Sequence, residues 1–84
     1  MINIDENMSE DELSKDVFLL AIYKRKDGET LKDVILTMEE TGTFSQKKGK
    51  KYLKELKSEN MVQDEGLTFL GIEKAKQVEM MFRL

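Results

Sequence analysis

Apolar residues recur at three- and four-residue spacing in four separate stretches of this chain, and only residues 61 to 69 break the rule. A helix brings positions i, i+3, i+4 and i+7 to one side, so a chain written this way folds mainly as packed helices with one short exception. No proline stands anywhere to interrupt the stretches. With 84 residues the chain has the length of one domain, and such a chain buries only about 60–65% of the surface its unfolded form exposes, so the core must be small. Hydrophobic residues make up 39% of the sequence, a low share, but their regular placement separates this chain from a disordered one.

The first stretch opens on Ser9-Glu10-Asp11-Glu12, the S-x-x-E spacing in which serine and glutamate satisfy each other's orphan amides, so the spacing predicts a helix from about residue 10. Leu13, Val17, Leu20 and Ala21 form its stripe, Phe18 and Ile22 widen it, and Lys24-Arg25-Lys26 with Asp27-Gly28 end it. So wide a stripe predicts a central, buried helix. Thr30 caps a second helix over residues 31 to 41, with Leu31, Val34, Ile35 and Met38 on one face and Gly42 free to adopt positive φ at its end. After Gly42-Thr43-Phe44, Ser45 caps a third helix reaching Glu59, whose inward face is Tyr52, Leu53 and Leu56. Two helices joined by so short a glycine-containing turn make a helix-turn-helix.

The exception is a hairpin: Met61-Val62-Gln63 and Leu67-Thr68-Phe69 flank the polar turn Asp64-Glu65-Gly66. Gly71 to Leu84 then forms a fourth helix, with Ile72, Ala75, Val78 and Phe82 on one face. The expected architecture is therefore mainly α with a small β-hairpin: three helices, a wing hairpin and a C-terminal helix. Residues 1 to 9 form an acidic arm and residues 10 to 84 the domain.

Cysteine, histidine and tryptophan are all absent, which removes disulfides, thiolate chemistry, imidazole metal sites and histidine acid–base catalysis. Lysines and carboxylates show no clustering around a pocket, so no enzyme and no cofactor is expected. The longest apolar run, Val17 to Tyr23, is far short of a bilayer span, and the acidic N-terminus lacks the order of a signal peptide, so a cytoplasmic protein without a membrane partner is expected. The net charge of −3 says little, because the charges are unevenly placed. Asp5, Glu6, Glu10, Asp11, Glu12 and Asp16 face a single Lys15 at one end, whereas residues 45 to 57 hold six lysines and only Glu55.

Two phrases strengthen the likeness to a known family. Leu53-Lys54-Glu55-Leu56-Lys57-Ser58-Glu59-Asn60-Met61-Val62 resembles the "LxxLxxxGLV" exit of a recognition helix into a wing, and Leu67-Thr68-Phe69-Leu70-Gly71-Ile72-Glu73-Lys74-Ala75 is similar to the "LTxxGxxxA" exit from it. With the order of elements, residues 10 to 84 resemble the winged helix-turn-helix superfamily, in particular small bacterial, archaeal and phage regulators of the MarR and PadR kind. The resemblance implies DNA binding and transcriptional regulation through the third helix. Three departures stand out. Gly49 occupies a position usually apolar, which implies close helix packing or a softer helix. The wing tip is Asp64-Glu65, where phosphate-contacting wings carry basic residues. Helix 3 has no arginine, the residue best suited to guanine.

At 100° per residue Lys47, Lys51, Lys54 and Ser58 lie opposite Leu53 and Leu56, with Lys50 and Lys48 at the flanks. The resemblance places that side in the major groove, where these lysines would meet phosphates and Gln46 an adenine. A lysine stripe is also a common solvated face. Here, however, only Lys51 and Glu55 offer an i,i+4 pair, so the remaining charges repel one another. The rival function is a winged-helix protein-protein interaction module in which the lysines meet an acidic protein partner. The run Asp5-x-Asn7-x-Ser9-x-Asp11 imitates a calcium loop but has Glu10 where glycine is needed and Asp16 where a bidentate glutamate belongs. Tyr23, Tyr52, Phe18, Phe44, Phe69 and Phe82 are expected to pack in the core. Met80, Met81 and Leu84 close the chain with an apolar end, and a homodimer seam through Ile72, Val78, Met81 and Phe82 is expected.

Overall fold

The computed structural model describes residues 10–82, so the acidic arm and most of the calcium-like run lie outside the described residues. Four helices and one hairpin follow in order: α1 Glu10–Lys24, α2 Leu31–Glu40, α3 Gln46–Ser58, β1 Val62–Gln63, β2 Gly66–Leu67 and α4 Phe69–Phe82. The strands pair antiparallel, Val62 with Leu67 and Gln63 with Gly66, leaving Asp64-Glu65 as a two-residue loop. This mainly helical chain with a small hairpin is consistent with a winged-helix-like layout.

Local chemistry sets each boundary. Thr30 and Asp33 form a reciprocal capping box at the start of α2, each side chain accepting the other's amide at 3.1 and 3.0 Å. Ser45 caps α3 by accepting the Lys48 amide at 3.2 Å. Both helices end in the same two-bond pattern. At α2, Thr43 donates to the Met38 carbonyl and Gly42, at φ 78°, to that of Glu39. At α3, Met61 donates to Leu56 and Asn60, at φ 63°, to Lys57. Asparagine thus stands where glycine is usual, a role its short polar side chain tolerates.

The fourth helix starts at Phe69, two residues before the expected Gly71. The Thr68 hydroxyl accepts the Gly71 amide at 3.0 Å, and the Thr68 carbonyl accepts that of Ile72. Thr68 is therefore a helix cap rather than a strand residue, which shortens the hairpin and turns Phe69 outward, 79% exposed. The expectation that Phe69 packs in the core is corrected by this, and Phe82 also stays 39% exposed.

α1 is the central helix, in contact with α2, α3, β2 and most extensively α4. Its most deeply buried residues are Phe18, Leu19 and Ile22, while Leu13, Val17, Leu20 and Ala21 are half-buried. The centre of the buried side differs from the expected stripe because neighbours cover the helix from several directions. Phe18, Phe44 and Tyr52 interlock edge to face, with ring centroids 5.5 and 5.2 Å apart. At Gly49 α3 packs tightly on α2 and on the turn between them: a Cβ there would lie 2.8 Å from Ile35 Cγ2 and 3.0 Å from Phe44 Cε1. Of the two meanings a mid-helix glycine had in the sequence, close packing is the one realised. No helix among the described residues is long and apolar enough to cross a membrane.

Candidate nucleic-acid interface

The basic face of α3 is built from the inside out. Gly49, Tyr52 and Leu56 bury one side of the helix, which forces Lys47, Lys50, Lys51, Lys54 and Lys57 to the other, where all five are exposed. They run along about 15 Å of helix at 1.5 Å per residue. Ion pairs within reach go elsewhere. Lys15 of α1 holds Glu55 of α3 at 3.4 Å and Glu59, the residue that follows its last turn, at 2.8 Å. The expected Lys51–Glu55 pair is thereby replaced by an inter-helix one, because the half-buried Lys15 lies nearer. Burial works against the Lys15 ammonium, but Glu59 and Glu55 outweigh it and raise its pKa.

Two of the residues singled out from the sequence have partners. Gln46 is half-buried, its Nε2 donating to Glu39 Oε1 at 2.9 Å and its amide to Glu39 Oε2 at 3.4 Å, so it closes the turn between α2 and α3. An adenine contact by Gln46 would have to displace Glu39. Lys48 sits 3.6 Å from Asp11 at the start of α1. Asp11 also accepts the Tyr52 hydroxyl at 2.8 Å. That hydrogen bond, with Lys48 and Lys51 nearby, holds its carboxyl below the usual value of 3.8 against the opposing effect of burial. Lys47, Lys50, Lys51 and Lys54 make no ion pair among the described residues.

Lys57 extends this face but went unselected from the sequence, because it lies near the boundary of the inward side. It lines an open groove with Asn60, Val62, Gln63, Asp64, Thr68, Phe69 and Leu70. The wing is tied back to the body. The Glu65 carbonyl accepts from Arg25 Nη2 at 2.5 Å, and Glu65 Oε1 accepts the Leu31 amide at 3.3 Å at the start of α2. Asp64, at φ 55°, is left exposed at the tip. Glu65 thus serves α2 while keeping its charge beside that of Asp64 in the exposed loop.

The expected dimer residues do not share an accessible face. Val78 is fully buried within the chain and Ile72 is half-buried, whereas Met81 is 55% and Phe82 39% exposed. Val78 is covered by its own core and cannot meet a partner, since Gly71, Ala75 and Val78 form the buried side of α4. Among the described residues no group of acidic side chains is placed to hold a metal ion. Comparison of the chain with protein-family models, with curated proteins and with solved structures finds no match.

Proposed function

We propose that this chain is a small winged-helix DNA-binding protein, a transcriptional regulator rather than an enzyme, which lays α3 against the duplex as its recognition helix. The observation that carries the reading is the lysine face Lys47, Lys50, Lys51 and Lys54, exposed and, among the described residues, free of ion pairs while Glu55 and Glu59 are held by Lys15. A helix that served packing alone would gain by spreading those charges among acids. Placed on phosphates, each ammonium releases counterions, so binding of mixed-sequence DNA should weaken with log salt at a slope of about −4 for four contacts. Without arginine, and with Gln46 engaged by Glu39, the contacts go to the backbone more than to base edges.

The test is a salt series on mixed-sequence duplex with the parent and with Lys47→Gln/Lys51→Gln/Lys54→Gln. All three positions are exposed, so the fold should survive, and the slope should fall by about 3. Equal affinity and slope in the two proteins would overturn the assignment of α3. A second reading, docking of the same lysines on an acidic protein, is favoured by Asp64 at the wing tip. It would be left standing if the parent showed no shift of DNA even at low salt.

A further inference from the structure

The first turns of α1 run along the flank of the lysine face. Asp11 accepts the Tyr52 hydroxyl at 2.8 Å and lies 3.6 Å from the Lys48 ammonium, and Lys51 is close enough for its charge to stabilise the carboxylate. One turn later Lys15 meets Glu55 and Glu59. The two helices therefore advance in the same sense at this contact, and the start of α1 at Glu10 lies level with the N-terminal half of α3, where Lys47, Lys50 and Lys51 stand exposed. At 100° per residue Lys48 is about 60° from Lys51 and about 100° from Lys47 around the helix, so the chain joins α1 at the edge of the lysine stripe. Among the described residues no carboxylate pairs with Lys47, Lys50, Lys51 or Lys54.

Asp5 and Glu6 precede Asp11 by six and five residues, and residues 1–9 hold no lysine or arginine. A chain spans at most about 3.5 Å per residue, so six residues reach about 20 Å. Lys47 and Lys54 are only about 10.5 Å apart along the helix axis, which puts the whole face within reach. We infer that residues 1–9 dock on the lysine face of α3 through Asp5 and Glu6, beside the contact that Asp11 already makes, and so occupy the surface that DNA would take. Exposed ion pairs are individually weak, but a short tether holds the acids near the lysines at an effective concentration of about millimolar, which fills the face when no polyanion competes. Duplex DNA carries one charge per about 1.7 Å of its axis and displaces the arm. Lysines neutralised by the arm have already shed part of their counterions, so DNA binding is weaker, and its salt dependence shallower, than without those two acids. This competition rests on the DNA-binding reading of α3, whereas the contact itself does not.

Two measurements on the full chain test this. Cysteine is absent from the sequence, so Asn3→Cys accepts a single nitroxide label. At low salt that label should broaden the amide resonances of Lys47, Lys51 and Lys54, and either Asp5→Asn/Glu6→Gln in the labelled protein or about 0.5 M salt should relieve most of the broadening. In gel-shift titrations of mixed-sequence duplex at low salt, unlabelled Asp5→Asn/Glu6→Gln should bind about three- to tenfold more tightly than the parent, with the gap closing as salt rises. Broadening that is absent at low salt, or that survives both neutralisation and salt, overturns the inference, as does equal affinity of two proteins that both bind DNA. Salt-sensitive broadening in a protein that shifts no DNA would instead overturn the DNA-binding reading and leave the arm on the lysine face.

Discussion

Tyr52 donates its hydroxyl to Asp11 Oδ1 at 2.8 Å, joining the middle of α3 to the first turn of α1 across 41 positions of sequence. The ring is 1% exposed and packs edge-on against Phe44, so the hydroxyl is the polar end of a core side chain reaching the surface beside the lysines. Asp11 also lies 3.6 Å from the Lys48 ammonium. One acid therefore ties the core, the central helix and the basic face together.

This pair makes stability depend on pH at both extremes. Burial, then the Asp11 hydrogen bond, pushes the Tyr52 hydroxyl from 10.0 up to about 12. A pKa raised by folding means its contribution is complete below pH 10.0 and is lost as pH rises toward about 12. The Asp11 carboxyl is lowered from 3.8, so its contribution is present above 3.8 and is lost as pH falls through the lower folded value. In a Tyr23→Phe background, phenolate absorbance should appear near pH 12, and Asp11→Asn should bring it partway back toward 10.0 because burial remains. A phenol that titrates at 10.0 in the folded protein would contradict the contact.

Asp11→Asn also removes a negative charge from beside Lys48 and Lys51. If α3 meets phosphates, this variant should bind mixed-sequence DNA more tightly than the parent at low salt, with the difference fading as salt screens it. Equal affinities across the series would place Asp11 outside the field that DNA senses.

Gly49→Ala and Gly71→Ala should both destabilise, the second more. At Gly49 the added methyl meets the stiff, branched Ile35 at 2.8 Å, and overpacking of about 1–3 kcal/mol outweighs the gain of about 1 kcal/mol in helix propensity. At Gly71 the Cβ would lie 2.0 Å from the Met61 carbonyl oxygen, backbone that cannot step aside without moving the start of α4. Urea midpoints of the two variants check the order, and Gly49→Ala with Ile35→Ala should cost less than the sum of the two.

Glu65→Ala should cost about 0.5 kcal/mol by leaving the first amide of α2 without its acidic partner. Asp64→Lys, at the exposed tip but at φ 55° where lysine is less tolerated than aspartate, should cost about 1 kcal/mol and should steepen the salt dependence of DNA binding. Thermal melts and the salt slope separate the two roles: a Glu65 variant as stable as the parent would show that the wing does not support α2.

Much of the layout was legible because it is written over three or four residues. The caps at Thr30 and Ser45, the positive φ at Gly42 and the apolar periods of α2 and α3 are interactions between near neighbours, visible in the string itself. The same periodicity sends Lys47, Lys50, Lys51 and Lys54 outward once Tyr52 and Leu56 face in.

Tertiary placement decided the rest. Whether Glu55 would answer Lys51 or Lys15, whether Gln46 would be free or held by Glu39, and which side of α4 would be covered all depend on how the helices lie against one another. Thr68 illustrates the limit: its residue type suits a strand or a cap, and the Gly71 amide it receives, beside the carbonyl of Met61, selects the cap and leaves Phe69 outside. Local sequence determines which face a helix can bury, because side-chain directions follow from the backbone repeat. Only packing between distant segments determines which charge finds which partner, because an ion pair or a close approach depends on distances that no local repeat contains.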